Sequence, residues 1–110
     1  RYVADFLKKH NAYPSFYGSQ AYDTIMLIAS AVEAVKGDMS KKNEFRAALR
    51  KANFKSVRGD FKFGNNHHPI QNFYLQETVK DAQGRLTLKT VDTVFKAHQD
   101  AYAGKCAMKW

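Results

Sequence analysis

Cysteine is nearly missing from this chain. Cys106 stands alone among 110 residues, so neither a disulfide framework nor a cysteine-built zinc site can form within it. In a secreted protein, one odd cysteine implies a partner elsewhere in the polypeptide. Long apolar runs are missing too. No stretch reaches the roughly 18–20 apolar residues needed to cross a bilayer, so the chain is not expected to span a membrane. No Met opens the sequence and no apolar targeting region is visible. It begins at Arg1 as though inside a helix, which leads us to expect a fragment or a processed product. Internal repeats and low-complexity segments are absent as well. Acidic residues are few, 10 against 18 Lys and Arg, for a formal charge of +8. That excess is dispersed: residues 1–53 and 54–110 each carry a net +4, with nothing denser than doublets such as Lys8-Lys9 and Lys41-Lys42. A nucleic-acid footprint concentrates its charge on one helix or stripe, so nucleic acid is not an expected partner and the charge reads as solubility.

Catalytic signatures are equally scarce. The sequence shows no phosphate-cradling glycine loop, no nucleophile elbow and no spaced pair of carboxylates. Cys106 lies in a tail with no motif around it, which gives a Cys–His nucleophile no support. His67 and His68 are adjacent and project in different directions on an extended chain, beside a Gly-Asn-Asn turn and Pro69. They read as surface residues, since a metal would need His10, His98 or an acid at unrelated spacings. No catalytic residue, metal or cofactor is expected, and the chain does not read as an enzyme.

What is present is a core. Hydrophobic residues are 45% of the chain and charged residues 25%, the composition of one folded domain rather than a disordered segment. The chain is organised around Phe16 to Val35. Apolar residues at Ala21, Tyr22, Ile25, Ile28, Ala29, Val32 and Val35 keep helical spacing, and Met26, Leu27, Ala31 and Ala34 fill other faces. Gln20, Asp23, Ser30 and Glu33 mark a narrow polar side, so this helix is expected to be covered on several sides. Ser19 is placed to cap its first turn and Gly37 to end it in a left-handed conformation.

Before it, Arg1–Lys9 reads as an amphipathic helix with Val3, Phe6 and Leu7 on its apolar stripe, stopping at Asn11. Pro14 favours an extended connector. After the Gly37–Ser40 turn, a third helix carries Phe45, Ala48, Leu49 and Ala52 on one face, capped by Ser40 or Asp38 and ending near Asn53. So short a turn makes the last two helices antiparallel neighbours. The period then changes. Val57–Phe63 ends in alternation, Gly64-Asn65-Asn66 is a turn, Gln71–Val79 a strand, Asp81–Gly84 a turn, and Arg85–Phe95 a strand. The tail from Lys96 to Trp110 is compatible with a short helix or a surface extension. Arg58-Gly59-Asp60 spells an adhesion tripeptide, but it fits the start of a hairpin and is read structurally.

Phe16 and Tyr17 have two readings. They can staple the start of the long helix to the core, or they can wall a small-ligand pocket at a loop–helix junction.

The order of these pieces carries a resemblance. The first helix, Tyr17-Gly18-Ser19-Gln20-Ala21-Tyr22-Asp23-Thr24, Phe45-Arg46-Ala47-Ala48-Leu49, Val57–Phe63 and Asn72-Phe73-Tyr74-Leu75 follow one another. Together they resemble the C-terminal part of a type I periplasmic solute-binding protein, of the branched-chain amino acid-binding group that serves ABC importers. The resemblance covers essentially all 110 residues, and Arg58–Leu75 is similar to members that bind aromatic acids.

The resemblance implies an α/β family fold of two lobes joined by three crossover strands. It would be present here as an α+β piece, about three helices followed by strands and a hairpin. Residues 1–56 would be the helical part of one lobe, and residues 57–110 the last crossover, hairpin strands and tail. It also implies a periplasmic receptor that captures an amino acid or aromatic carboxylate and passes it to a membrane permease. In this mapping Tyr17, with Phe16 beside it, contacts the ligand. Apolar faces left uncovered would make the piece self-associate or exchange elements between copies. The reading from a different class is a small basic α+β interaction domain that binds an acidic partner.

Overall fold

The apolar period changes near residue 56, and the computed structural model changes there from helices to strands. The structure describes residues 1–108. Three helices come first, α1 (Tyr2–His10), α2 (Phe16–Ala34) and α3 (Lys42–Lys51). Three strands follow, β1 (Phe61–Phe63), β2 (Pro69–Lys80) and β3 (Leu86–His98), and then a 3-10 turn at Ala103–Lys105. Asn11 ends α1 in the left-handed conformation (φ 49°), as its side chain tolerates. The tail from Lys96 begins inside β3 and then makes that short turn; the expectation for Lys109 and Trp110 lies outside the described residues.

Helix α2 starts earlier than its apolar rhythm suggests. Ser15, not Ser19, is the N-cap: it is extended (φ −72°, ψ 168°) and its hydroxyl accepts the Gly18 N–H at 3.2 Å. The Phe16–Tyr17 pair therefore sits in the first helical turn and not in the loop before it. At the other end Lys36, one residue before the expected Gly37, is the first left-handed residue (φ 54°). The Lys36 N–H reaches Glu33 O at 2.9 Å and the Gly37 N–H reaches Val32 O at 3.0 Å, the paired bonds that close a Schellman motif. Asp38 accepts both the N–H (3.1 Å) and the hydroxyl (2.6 Å) of Ser40. That local turn occupies both groups, and α3 has no side-chain cap at Lys41.

The strands form one antiparallel sheet in the order β1-β2-β3. Phe61 pairs with Gln71 and Phe63 with Pro69, while Phe73 pairs with Phe95 and Thr78 with Leu88. Phe61 and Phe63 share a face, with ring centroids 5.1 Å apart. The long ladder slips between Gln71 and Phe73. There Ala97 turns left-handed (φ 47°) and its N–H is taken by Asn72 Oδ1 at 2.9 Å, so the bulge leaves no orphan donor.

Helix α2 was expected to be covered on several sides. Here α2 meets α3, α3 meets β1, and the strands meet each other in turn. This sequence of neighbours spreads into a slab of 49 × 35 × 15 Å. Ala31, Val35, Ala52 and Ala103 are the buried apolar side chains among the described residues, and Ile25 is 65% exposed. Tyr22, Met26 and Ile28 also face outward. The sheet lies beside the helices and not across α2, which is why the helix keeps open apolar faces.

Candidate functional site

At the start of α2, Phe16 is 55% and Tyr17 76% exposed, with ring centroids 5.8 Å apart in an edge arrangement. Rings this open do not staple the helix to a core. Beneath them Gly18 makes room for α1, since a Cβ at Gly18 would lie 3.0 Å from the Tyr2 hydroxyl. Tyr2 packs on Tyr22 at 4.6 Å and on Phe6 at 6.2 Å, and this side-chain contact joins α1 to α2. Tyr2, and not Val3 (47% exposed), thus anchors the first helix.

Seven residues further along α2 lies the buried polar side chain among the described residues. Asp23, expected on the polar side, is 2% exposed. Its Oδ1 accepts the Val57 N–H at 2.9 Å. Its Oδ2 accepts the Ser56 hydroxyl at 2.6 Å and Arg58 Nε at 2.9 Å. Arg58 continues to β2 through Nη1 and Gln71 Oε1 (3.0 Å), and its guanidinium lies 5.6 Å from the centre of the Phe61 ring. The Tyr74 hydroxyl donates to Arg58 O at 3.1 Å. Gly59, at φ 102°, lets that hydroxyl approach: a Cβ there would stand 2.8 Å from it. The structural reading of Arg58-Gly59-Asp60 therefore holds, with Arg58 tied into the protein.

A second polar knot closes the β2–β3 turn. Asp81 accepts the N–H groups of Gln83 and Arg85 at 2.9 Å, Arg85 Nε at 2.7 Å and the Tyr13 hydroxyl at 3.1 Å. Partial desolvation pushes this carboxyl up. The Arg85 N–H and guanidinium, the Gln83 N–H and the Tyr13 hydroxyl outweigh it and hold its pKa at about 2. Tyr13 is raised, by desolvation first and then by the Asp81 carboxylate that accepts its hydrogen bond.

His67 and His68 are exposed, as their setting suggested. His67 also borders an open cleft of about 460 Å³ with Leu27, Arg46, Leu49 and Phe63. No group of three or more His, Cys, Asp or Glu side chains among the described residues could hold a metal ion. No helix there is long and apolar enough to cross a membrane.

Comparison with known proteins adds to this geometry. Residues 1–84 match a family described as periplasmic binding protein. No curated protein matches the chain. Among solved structures, the chain is similar to an ABC transporter solute-binding protein from R. palustris, crystallised in complex with benzoate. The two are 34% identical, with a TM-score of 0.79 over 97% of this chain and 28% of that one.

Proposed function

The chain belongs to the periplasmic binding protein family, and from this premise we propose that it works as part of a solute-binding receptor for an ABC importer. The family and the similar structure are solute-binding proteins, and non-covalent capture followed by lobe closure accounts for the role without chemical turnover. In this reading residues 1–56 are the helical part of one lobe, and residues 57–110 bring the last crossover, the hairpin and the tail. The receptor works outside the cytoplasm and hands its solute to a membrane permease.

The observation that carries the reading is the pair of open rings at the start of α2. Phe16 and Tyr17 present exposed aromatic area and a hydroxyl side by side. We assign them to one wall of the solute site. The solute class that suits them is a small aromatic carboxylate, as in the similar structure with benzoate, with an amino acid as the other candidate. The remaining walls would come from a second lobe, and the outward faces of Ile25 and Ile28 are what such a lobe can cover.

A thermal-shift panel on the native polypeptide tests this, with benzoate, other aromatic carboxylates, amino acids and short peptides. A solute at about 100 times its dissociation constant adds roughly 2.7 kcal/mol of stability. We expect a response to one chemical class that Tyr17→Ala weakens and that changes little with salt. An unchanged response in Tyr17→Ala removes that residue from the site. No response to any solute, with steeply salt-dependent binding to an acidic partner instead, overturns the receptor reading.

A further inference from the structure

The tip of the β2–β3 hairpin meets a part of the chain far from it in sequence. Tyr13 donates to Asp81 across 68 positions, and Arg85 Nη1 donates to Asn11 Oδ1 at 3.0 Å across 74. The Arg85 guanidinium also lies 5.7 Å from the centre of the Tyr13 ring. Asn11 is the left-handed end of α1, and Tyr13 stands two residues before Ser15, the cap of α2. Among the described residues neither β2 nor β3 brings its backbone close to α1 or α2, so side chains make the link, here at the hairpin tip and elsewhere through Asp23, Arg58 and Gln71.

The turn is built for that task. Asp81 uses Oδ1 to shape its own turn and Oδ2 to hold both Arg85 and Tyr13. Arg85 is fixed at three points, on Asp81, on Gln83 (Nη2 to Oε1, 3.0 Å) and on Asn11. A planar guanidinium held on several sides transmits position in a way that a flexible lysine does not.

We propose that the Asp81–Arg85 turn clamps the α1–α2 connector and thereby sets where Phe16 and Tyr17 stand, making Asp81, Arg85 and Tyr13 positioning residues for solute binding. The clamp itself is independent of the function assigned above; its effect on solute rests on that reading. Without the clamp, the five-residue connector keeps Pro14, the Ser15 cap and the Tyr2–Tyr22 contact between its flanking helices.

Amide hydrogen exchange by NMR on the native polypeptide tests the clamp with no solute present. In Asp81→Asn and Arg85→Ala the Gly18 and Ser19 amides should exchange about tenfold faster, as expected for losing charge-assisted bonds, while Phe45 and Ala48 of α3 stay unchanged. Arg85→Lys, which keeps the charge and drops the fork, should give an intermediate rate, and it decides the matter if Asp81→Asn fails to fold. Unchanged exchange at Gly18 and Ser19 in folded variants overturns the clamp. With benzoate as probe, the same variants should bind about tenfold more weakly. Faster exchange with undiminished benzoate affinity keeps the clamp and overturns its effect on solute. A wild-type protein that ignores benzoate and its relatives counts against the receptor reading, while the exchange data still decide the clamp.

Discussion

Asp23 is held by three donors from one short segment, and removing it strands all three. Breaking a buried, hydrogen-bonded pair from one side costs about 3–5 kcal/mol, so Asp23→Ala should lower the urea midpoint severely. Gly59 offers a finer test of the same segment. Gly59→Ala combines an unfavourable φ with a clash on the Tyr74 hydroxyl, and should cost about 1–3 kcal/mol. Adding Tyr74→Phe removes the clash and leaves the backbone strain, so the double variant should recover only part of the loss. Asp81 adds a pH dependence whose sign follows from its depressed pKa. Its folded value of about 2 lies below the ordinary 3.8, so the stabilisation is present above pH 4 and lost as pH falls towards 2. Urea midpoints should therefore fall more steeply between pH 4 and pH 2 in the wild type than in Asp81→Asn.

At the scale of elements, the caps make the sharpest predictions. Ser15→Ala removes the bond to the Gly18 N–H and should cost about 1 kcal/mol. Lys36→Gly should stabilise by about 1 kcal/mol, because a left-handed residue with a Cβ gives way to one without. Thermal melts at several denaturant concentrations would check both. These two caps also show what the sequence reveals. The three helices, the Gly64–Asn66 and Asp81–Gly84 turns and the shared face of Phe61 and Phe63 were all legible from local pattern. The start of α2 was missed because Phe16-Tyr17-Gly18 reads as a connector until Ser15 is seen to close the first turn. The role of Asp23 was hidden for another reason. Periodicity sorts residues by their dislike of water, while the partners that make a buried carboxylate tolerable lie 33 to 35 positions away. An acid inside an otherwise apolar helix was the available sign. Phe16 and Tyr17 stood out as aromatics at a helix entry with two readings, the resemblance favoured the ligand-contacting one, and the structure adds their exposure.

The whole molecule is flat. Its radius of gyration is 16.9 Å, against about 13 Å for a compact chain of this length. Large apolar side chains line both the helical and the strand regions of its surface, among them Ile25, Leu75, Leu86, Val91 and Phe95. Uncovered surface of this kind drives association. The 110 residues alone should therefore show a scattering mass that rises with concentration, and a compact monomer at every concentration would count against this.

The knot at the hairpin tip carries one more consequence, in time and not in space. The connector that leads into α2 is held by Asp81 and Arg85, so contacts at residues 11 and 13 wait for a turn made some seventy positions later. Closing so long a loop comes late on a folding pathway, after local helices and hairpins have formed. The beginning of α2 is then among the last of these elements to settle, although it precedes the hairpin in sequence. Substitutions at Asp81 and Arg85 should accordingly speed unfolding and leave the folding rate nearly unchanged, which stopped-flow chevrons would separate directly.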